Sequence, residues 1–347
     1  MSAAKAMREL SVERAAGCLA GVAIGDAMGM PCEFLTRGQI AQRYGRIKGF
    51  VAPAADHIHS KLQAGQVTDD TEQTIEFALA LVQHGALTPE VAAQAVLKWA
   101  REHDAFNSSV LGPSSRRALE RLMAGEDPST TGSRGDTVGA AMRVAPVGLV
   151  NAGIPGRAAE ECYLSCLPTH GANVAIGGSC AVACAVAEAA VAEQGAAGLG
   201  KVLEAAAWGA ARGEEHGIQW AGPSVTARIR LALRIVDQAP TSAAAEDELY
   251  SVVGVGMAPT ELVPTALGIV KLYGGDCILA IEAAASMGGD ADTLASIVGA
   301  IVGAYRGIGA FPRDWVSTVE SVNGLDLLGL AEQLLRVREG RTAYDRD

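Results

Sequence analysis

The sequence predicts an all-α protein, a single compact multi-helix domain, and three observations carry that expectation. Apolar residues make up 49% of the chain and aromatics only 4%, so the apolar content is mostly Ala, Val, Leu and Ile, which in Ala-rich segments favours closely packed helices over sheets. Helical spacing of apolar positions recurs in one segment after another, and no strand-like alternation runs longer than four residues. No linker is long enough to divide the chain, so residues 1–347 read as one unit although the length permits two. Its core is expected over about 13–335, with a charged tail at 336–347 that frays.

Taken in order, Gly17, Gly21, Gly25 and Gly29 recur every fourth residue among helix formers. That spacing puts them on one helical face, where a second backbone can come close. Pro31-Cys32-Glu33-Phe34 leaves the helix, and a long irregular connection follows over about 45–67, of the kind that is functional or mobile. Helical periodicity returns at 72–84, 89–103 and 114–123, and 125–139 is a loop by its Gly, Pro, Ser and Thr content. Further helices are expected at about 140–150, 157–166, 172–194, 199–213, 223–237, 243–254, 259–272, 276–287, 291–306 and 326–338. Within them Cys162/Cys166 and Cys180/Cys184 read as small core residues, not soft-metal ligands.

Composition also excludes partners. Net charge is −11 and no run of Lys or Arg occurs, which argues against nucleic acid. An anionic substrate would need local help from metal ions or helix N-termini. The longest apolar stretch, Leu294 to Tyr305, is too short to span a bilayer, so no membrane partner is expected. Seven cysteines, an odd number, and an N-terminus without an apolar signal core point to a reduced, cytoplasmic setting. Gly254-Val255-Gly256 lacks the third glycine of a dinucleotide fingerprint, and no P-loop occurs.

Two short acidic clusters say most about function. Thr68-Asp69-Asp70-Thr71 and Asp290-Ala291-Asp292-Thr293 each pair two carboxylates with a hydroxyl and offer no Cys or His, a donor set suited to a hard cation such as Mg²⁺ or Mn²⁺. Each also suits a plain helix start: Asp69 with Glu72 has the form of a capping box, and carboxylates favour the positive end of the helix dipole. Both precede apolar helical segments, so both sit where a buried helix begins and where four carboxylates could converge. Carboxylates that close repel one another unless a cation lies between them. Two ions held about 3.5–4 Å apart would form a two-metal site that orients a substrate and activates water.

With these clusters stand Gly25-Asp26-Ala27-Met28-Gly29, Glu33, Ala141-Met142-Arg143-Val144-Ala145-Pro146, Thr169-His170 and the Gly288-Gly289 that precedes Asp290. Together they resemble the ADP-ribosylglycohydrolase family, in family order from about residue 13 to 315. The resemblance implies an all-α bundle around a binuclear centre of two Mg²⁺ (or Mn²⁺), with Thr68, Asp69 and Asp70 as ligands from one helix start and Asp290, Asp292 and Thr293 from the other. It implies ions that grip both hydroxyls of a ribose and hydrolysis at its anomeric carbon, removing ADP-ribose from a protein or a small-molecule conjugate. Such cleavage passes through an oxocarbenium-like state that nearby carboxylates stabilise. Glu33 matches an acidic residue that in some members caps the metal site and takes part in catalysis. Glu33, Asp70 and Asp290 are the candidate catalytic set, with Glu33 or a metal-bound aspartate as the base. His170 matches a position near the distal part of the substrate, and Gly139 is expected to line the substrate site.

Members commonly carry Asn-Gly just before the Ala-Met-Arg segment, where Val138-Gly139 stands here. An apolar side chain cannot hydrogen-bond a sugar or a carboxamide, which keeps a second expectation open: an N-ribosyl hydrolase of a nucleoside or related small ribosyl compound. The expected partner is thus an ADP-ribosyl or other ribosyl substrate, and the sequence leaves oligomeric state open. Terpenoid synthases also use acidic Mg²⁺ motifs, but their first motif wants a third acid where this chain has Gln73. A non-catalytic, crystallin-like fate is marked by loss of metal ligands, and none is lost. Arg143 is expected to be buried against one of the many carboxylates, and His57 and His59 to face solvent on the long loop.

Overall fold

Ser11 accepts a hydrogen bond from the amide of Arg14 and so starts α1 (Val12–Gly29), the helix around which the molecule is built. In the computed structural model, which describes residues 9–107 and 111–344, it is followed by α2 (Arg37–Arg43), α3 (Asp69–His84), α4 (Pro89–Glu102), α5 (Pro113–Met123), α6 (Pro128–Thr131), α7 (Ala145–Val150), α8 (Pro155–Cys166), α9 (Asn173–Ala189), α10 (Ala196–Gly213), α11 (Val225–Gln238), α12 (Ser242–Glu248), α13 (Pro259–Leu272), α14 (Cys277–Ala285), α15 (Ala291–Arg306), α16 (Arg313–Asn323) and α17 (Leu327–Tyr344). Among the described residues there is no strand, only an isolated bridge between Ala172 and Ile218. The fold is all-α, as the composition and periodicity predict.

The glycine ladder of α1 meets a matching ladder on α15. A Cβ on Gly21 would lie 2.0 Å from the carbonyl oxygen of Gly299, and one on Gly17, Gly25 or Gly29 would lie 2.1 to 2.5 Å from those of Gly303, Ala295 and Ala291. Partner numbers fall as α1 numbers rise, so the helices run antiparallel in backbone contact over four turns. No other residue fits that spacing. The C-terminus of α1 is thereby fixed beside the N-terminus of α15, which is where Asp26 and the second acidic cluster lie.

α1 with the turn after it, Val12–Cys32, is long and apolar enough by composition to cross a membrane, a longer apolar run than 294–305. Its apolar window is entirely buried in the bundle, which makes it a core helix. All seven cysteines are free thiols and all are buried, the two i, i+4 pairs among them.

Several boundaries differ from expectation for identifiable reasons. The helix expected over 140–150 is a 3₁₀ turn at Val138–Arg143 followed by α7. Pro146 has no amide to donate back to Met142, so one continuous helix cannot form there. The helix expected over 243–254 stops at Glu248 and widens into a π turn at Leu249–Val253. α2 and α16 each bury one side chain, Ile40 and Val319, and so carry no apolar period to read. The expectation of a frayed tail over 336–347 is corrected as far as Tyr344, the rest lying outside the described residues: α17 continues to Tyr344, and Arg341 pairs with both carboxylate oxygens of Glu161 at 2.7 Å.

Candidate active site

Asp26 is the hinge of the local geometry. It is fully buried, and it accepts the amide of Thr68 at 3.0 Å, the Thr68 hydroxyl at 2.7 Å, the Thr71 amide at 3.1 Å and the Thr71 hydroxyl at 2.5 Å. One carboxylate on α1 therefore supplies the cap that α3 lacks, for Thr68 occupies the N-cap position without a side-chain cap of its own. The capping-box form of Asp69 and Glu72 is not used. Glu72 instead accepts from Trp99 Nε1 at 2.8 Å and faces His103 Nδ1 at 3.0 Å. With the helix end satisfied from elsewhere, the carboxylates of Asp69 and Asp70 are free to point out of it.

The second cluster is aimed by two glycines. Gly288 (φ 73°) and Gly289 (φ 64°) both lie in the left-handed region, and a Cβ on either would meet a carbonyl oxygen, that of Leu35 or Val255, within 2.3 Å. Gly289 exchanges backbone hydrogen bonds with the turn after Glu33: the Phe34 amide donates to Gly289 at 2.6 Å and the Gly289 amide to Leu35 at 2.9 Å. Glu33 and Asp290 are thus held side by side by the main chain.

Glu33, Asp69, Asp70, Asp290, Asp292, Thr293 and Gly139 all line one cleft of about 760 Å³ including its open mouth, together with Ser115, Thr137 and an apolar wall that contains Val138, Met142 and Met257. The two clusters meet directly, as the Thr293 hydroxyl donates to Asp70 Oδ2 at 3.3 Å across 223 residues of sequence. Two of the expected residues stand outside the lining. Thr68 turns its hydroxyl to Asp26. His170 is fully buried behind Gly139, where a Cβ on the glycine would come within 3.0 Å of its Nε2.

Behind the acids runs a hydrogen-bonded chain centred on one guanidinium. Gln73 Nε2 donates to Asp69 Oδ2 at 3.1 Å, Arg143 donates to Gln73 Oε1 and to the Thr169 hydroxyl, each at 2.5 Å, and Thr169 meets His170 Nδ1 at 2.8 Å. Thr169 Oγ1 accepts from Arg143 and shares a hydrogen bond with His170 Nδ1, and His170 Nε2 lies 3.1 Å from the Thr137 hydroxyl. Burial, and then Arg143 and Arg117, hold the His170 pKa well below the ordinary imidazole value, consistent with a neutral ring. The expected carboxylate partner of Arg143 is corrected: the guanidinium pairs with Gln73 and Thr169 and lies 4.8 Å from the ring centre of Phe77.

His57 and His59 are also corrected. They are not solvent-facing but buried, and both grip Glu33: His57 Nε2 lies 2.8 Å from its carbonyl oxygen, and His59 Nε2 makes a short contact with its carboxylate. Glu33, His59 and Asp292 bring their donor atoms within 4.8 Å of one another.

The electrostatics state what is missing from a purely protein account. Burial first, and then Asp292, push Asp69 and Asp70 well above the ordinary carboxylate range, and burial first with Asp292 does the same to Glu33. Asp290 is pushed up to about 7 by burial and by Glu33, and Asp292 to about 7 by burial and by Asp290. Among the described residues no Lys or Arg lines the cleft to offset this, and the one imidazole there, His59, faces Glu33 and Asp292. Buried Asp70 Oδ1 has no hydrogen-bond partner. Five carboxylates with an open oxygen and no fixed positive charge among them fit a divalent cation bound by hard oxygen donors.

Comparison with known proteins agrees with this architecture. The family model described as ADP-ribosylglycohydrolase matches residues 7–344. The chain is 33% identical over 340 residues to a protein of Escherichia coli (strain K12) named "Uncharacterized protein YegU", covering 96% of this chain and 100% of that one. It is 26% identical to ADP-ribosylhydrolase ARH3 of Mus musculus, covering 94% and 92%. A solved structure titled an ADP-ribosylglycohydrolase-related protein complex matches with a TM-score of 0.68 at 25% identity, covering 94% of this chain and 98% of that chain.

Proposed function

The chain belongs to the ADP-ribosylglycohydrolase family, and from that premise we propose that it is a metal-dependent glycohydrolase that removes ADP-ribose from a conjugate by hydrolysis at the anomeric carbon of the ribose. The observation that carries this reading is the convergence of both acidic clusters and Glu33 on one cleft that, among the described residues, no Lys or Arg lines. Asp69, Asp70, Asp290 and Asp292, with Thr293, would hold two Mg²⁺ or Mn²⁺, and Thr68, expected as a sixth ligand, would have to turn its hydroxyl from Asp26 to join them. When bound, those ions supply a binding surface for vicinal hydroxyls and an acidified water.

The chain's own residues account for the rest. The carboxylates stabilise the positive charge that develops at the anomeric carbon as the glycosidic bond lengthens. Glu33 stands at the cleft with its pKa raised, suited to take the proton from the attacking water and pass it on toward the leaving group. Gly139 leaves room at the wall in front of His170, and Thr137, which lines the cleft and is held by His170, places its hydroxyl where a substrate can reach it. The test is incubation of purified, Mg²⁺- or Mn²⁺-loaded protein with ADP-ribosylated protein and small ADP-ribose conjugates, with release of free ADP-ribose expected and abolished by EDTA. One observation favours a second reading: among the described residues the lining holds no Lys or Arg for a diphosphate, and Val138 faces the cleft. A nucleoside panel run in parallel decides it, because release of free base without any ADP-ribose product makes the protein an N-ribosyl hydrolase.

A further inference from the structure

His57-Ile58-His59 is buried the wrong way round for a loop held by apolar contacts. Ile58 is 48% exposed, while His57 and His59 are 7% and 4% exposed. Transfer energetics alone would turn the isoleucine inward and leave both imidazoles in water, so the polar contacts of the histidines must set this conformation. Those contacts converge on one residue. The His59 amide donates to His57 Nδ1 at 3.2 Å, which makes Nδ1 an acceptor and leaves the ring proton on Nε2, and Nε2 then donates to the Glu33 carbonyl oxygen at 2.8 Å. His59 Nε2 reaches the Glu33 carboxylate itself.

We propose that His57 and His59 are a positioning pair for Glu33, with His57 anchoring its main chain and His59 fixing the rotation of its carboxylate over the acidic cluster. The main chain of Glu33 is already pinned from the other side by the Phe34–Gly289 and Gly289–Leu35 bonds, and Phe34 sits in the left-handed region at φ 58°. What remains free is the side chain, whose two ends of travel are the open mouth of the cleft and Asp292. A donor on Oε2 removes that freedom before substrate arrives, which is the preorganisation that general-base catalysis needs.

The kinetic arm of the test rests on the proposed hydrolase activity and compares His59→Leu, which loses the donor, with His59→Gln, which keeps an N–H within reach of the carboxylate. For the metal-loaded full chain, His59→Leu is expected to lower kcat about 10²-fold with KM held within about threefold, and His59→Gln to recover about tenfold of that loss. The rise in melting temperature on adding Mg²⁺ is expected to be equal in both variants and wild type. An unchanged kcat in His59→Leu overturns the proposal, as does His59→Gln as slow as His59→Leu. Loss of the Mg²⁺-induced rise in His59→Leu also overturns it, by making His59 a metal ligand. A second arm needs no activity and separates failure of this proposal from failure of the hydrolase reading: ¹⁵N NMR of the imidazoles in wild type and Glu33→Ala. Nε2–H on His57 in wild type, with the His59 ring resonances displaced in Glu33→Ala, supports the pair. Nδ1–H on His57, or an unmoved His59, sinks it even if the enzyme proves active.

Discussion

Asp70 shows how one residue can demand a ligand. One of its oxygens accepts from Thr293 and the other is buried with no partner, a state that costs free energy in both the neutral and the ionised form. Asp70→Asn and Asp290→Asn keep the shape and remove a charge. Without metal they are expected to melt no lower than wild type, since like-charge repulsion is relieved, and with Mg²⁺ to lose most of the metal-induced rise in Tm and to fall about 10²-fold or more in activity. Calorimetry with and without Mg²⁺ checks this, and equal rises in mutant and wild type would remove both residues from the ligand set. Arg143→Met makes a different prediction, because the arginine reaches Asp69 only through Gln73. The change strips a charged donor from two buried acceptors, Gln73 Oε1 and Thr169 Oγ1, and should destabilise by roughly 2–4 kcal/mol in chemical denaturation. The acids were legible because two like clusters at two helix starts ask the same chemical question. Asp26, Gln73 and His59 were not legible as parts of the site, because each acts through a neighbour that only the tertiary fold supplies. For Gln73 the i, i+4 spacing from Asp69 on α3 was the one local signal. For His59 the local signal was its ligand-like spacing from His57, which a polar loop facing solvent explains more simply, so the sequence alone did not turn the imidazoles inward.

Among the helices, the pairing of α1 with α15 converts a sequence period into the geometry of the site. The four-residue glycine repeat announced a close backbone contact, and what it could not announce was the partner. Gly299 and Gly303 carry the same spacing, but their helix also holds Ala295 and Ala291, so the second ladder is hidden among small residues. Gly21→Ala tests the contact. Its Cβ would fall 2.0 Å from the Gly299 carbonyl oxygen, so the helices must separate along their whole length, and a loss of several kcal/mol or failure to fold is expected. Any folded remnant should bind Mg²⁺ more weakly, since Asp26 and Asp292 ride on the two displaced helices. Gly200→Ala is the matched control. It lies in α10 with open space at its Cβ position and should stabilise by about 0.5–1 kcal/mol through helix propensity and a less flexible unfolded chain. Thermal melts that shift both variants in the same direction would break this account of the ladder. The helices that escaped sequence reading, α2, α16 and the one-turn α6 inside the expected loop over 125–139, bury a single side chain each, where amphipathic period carries no information.

Over the whole molecule, the net charge of −11 and the cluster of buried carboxylates combine into a dependence of stability on pH and metal that neither has alone. Asp290 and Asp292 ordinarily titrate near 3.8 and in the fold near about 7, and Asp26 near about 6, burial being the first cause in each. The folded chain therefore holds these protons more tightly than the unfolded chain does. Without a cation, the stability they contribute is fully present below about pH 4 and is lost as pH rises toward about pH 7. A divalent cation reverses the sign, because it binds the ionised form, must displace the protons to do so, and gains affinity over the same window. Melting curves in EDTA should fall from about pH 4 to about pH 7, curves in saturating Mg²⁺ should fall less or rise, and the gap between them should widen across that window. Surface ion pairs cannot imitate that pattern, for their contribution is small and adding a fixed amount of salt would screen them equally in both series. A gap of constant width across the range would mean that the cation binds away from these aspartates, and the chemistry proposed for the cleft would fail with it.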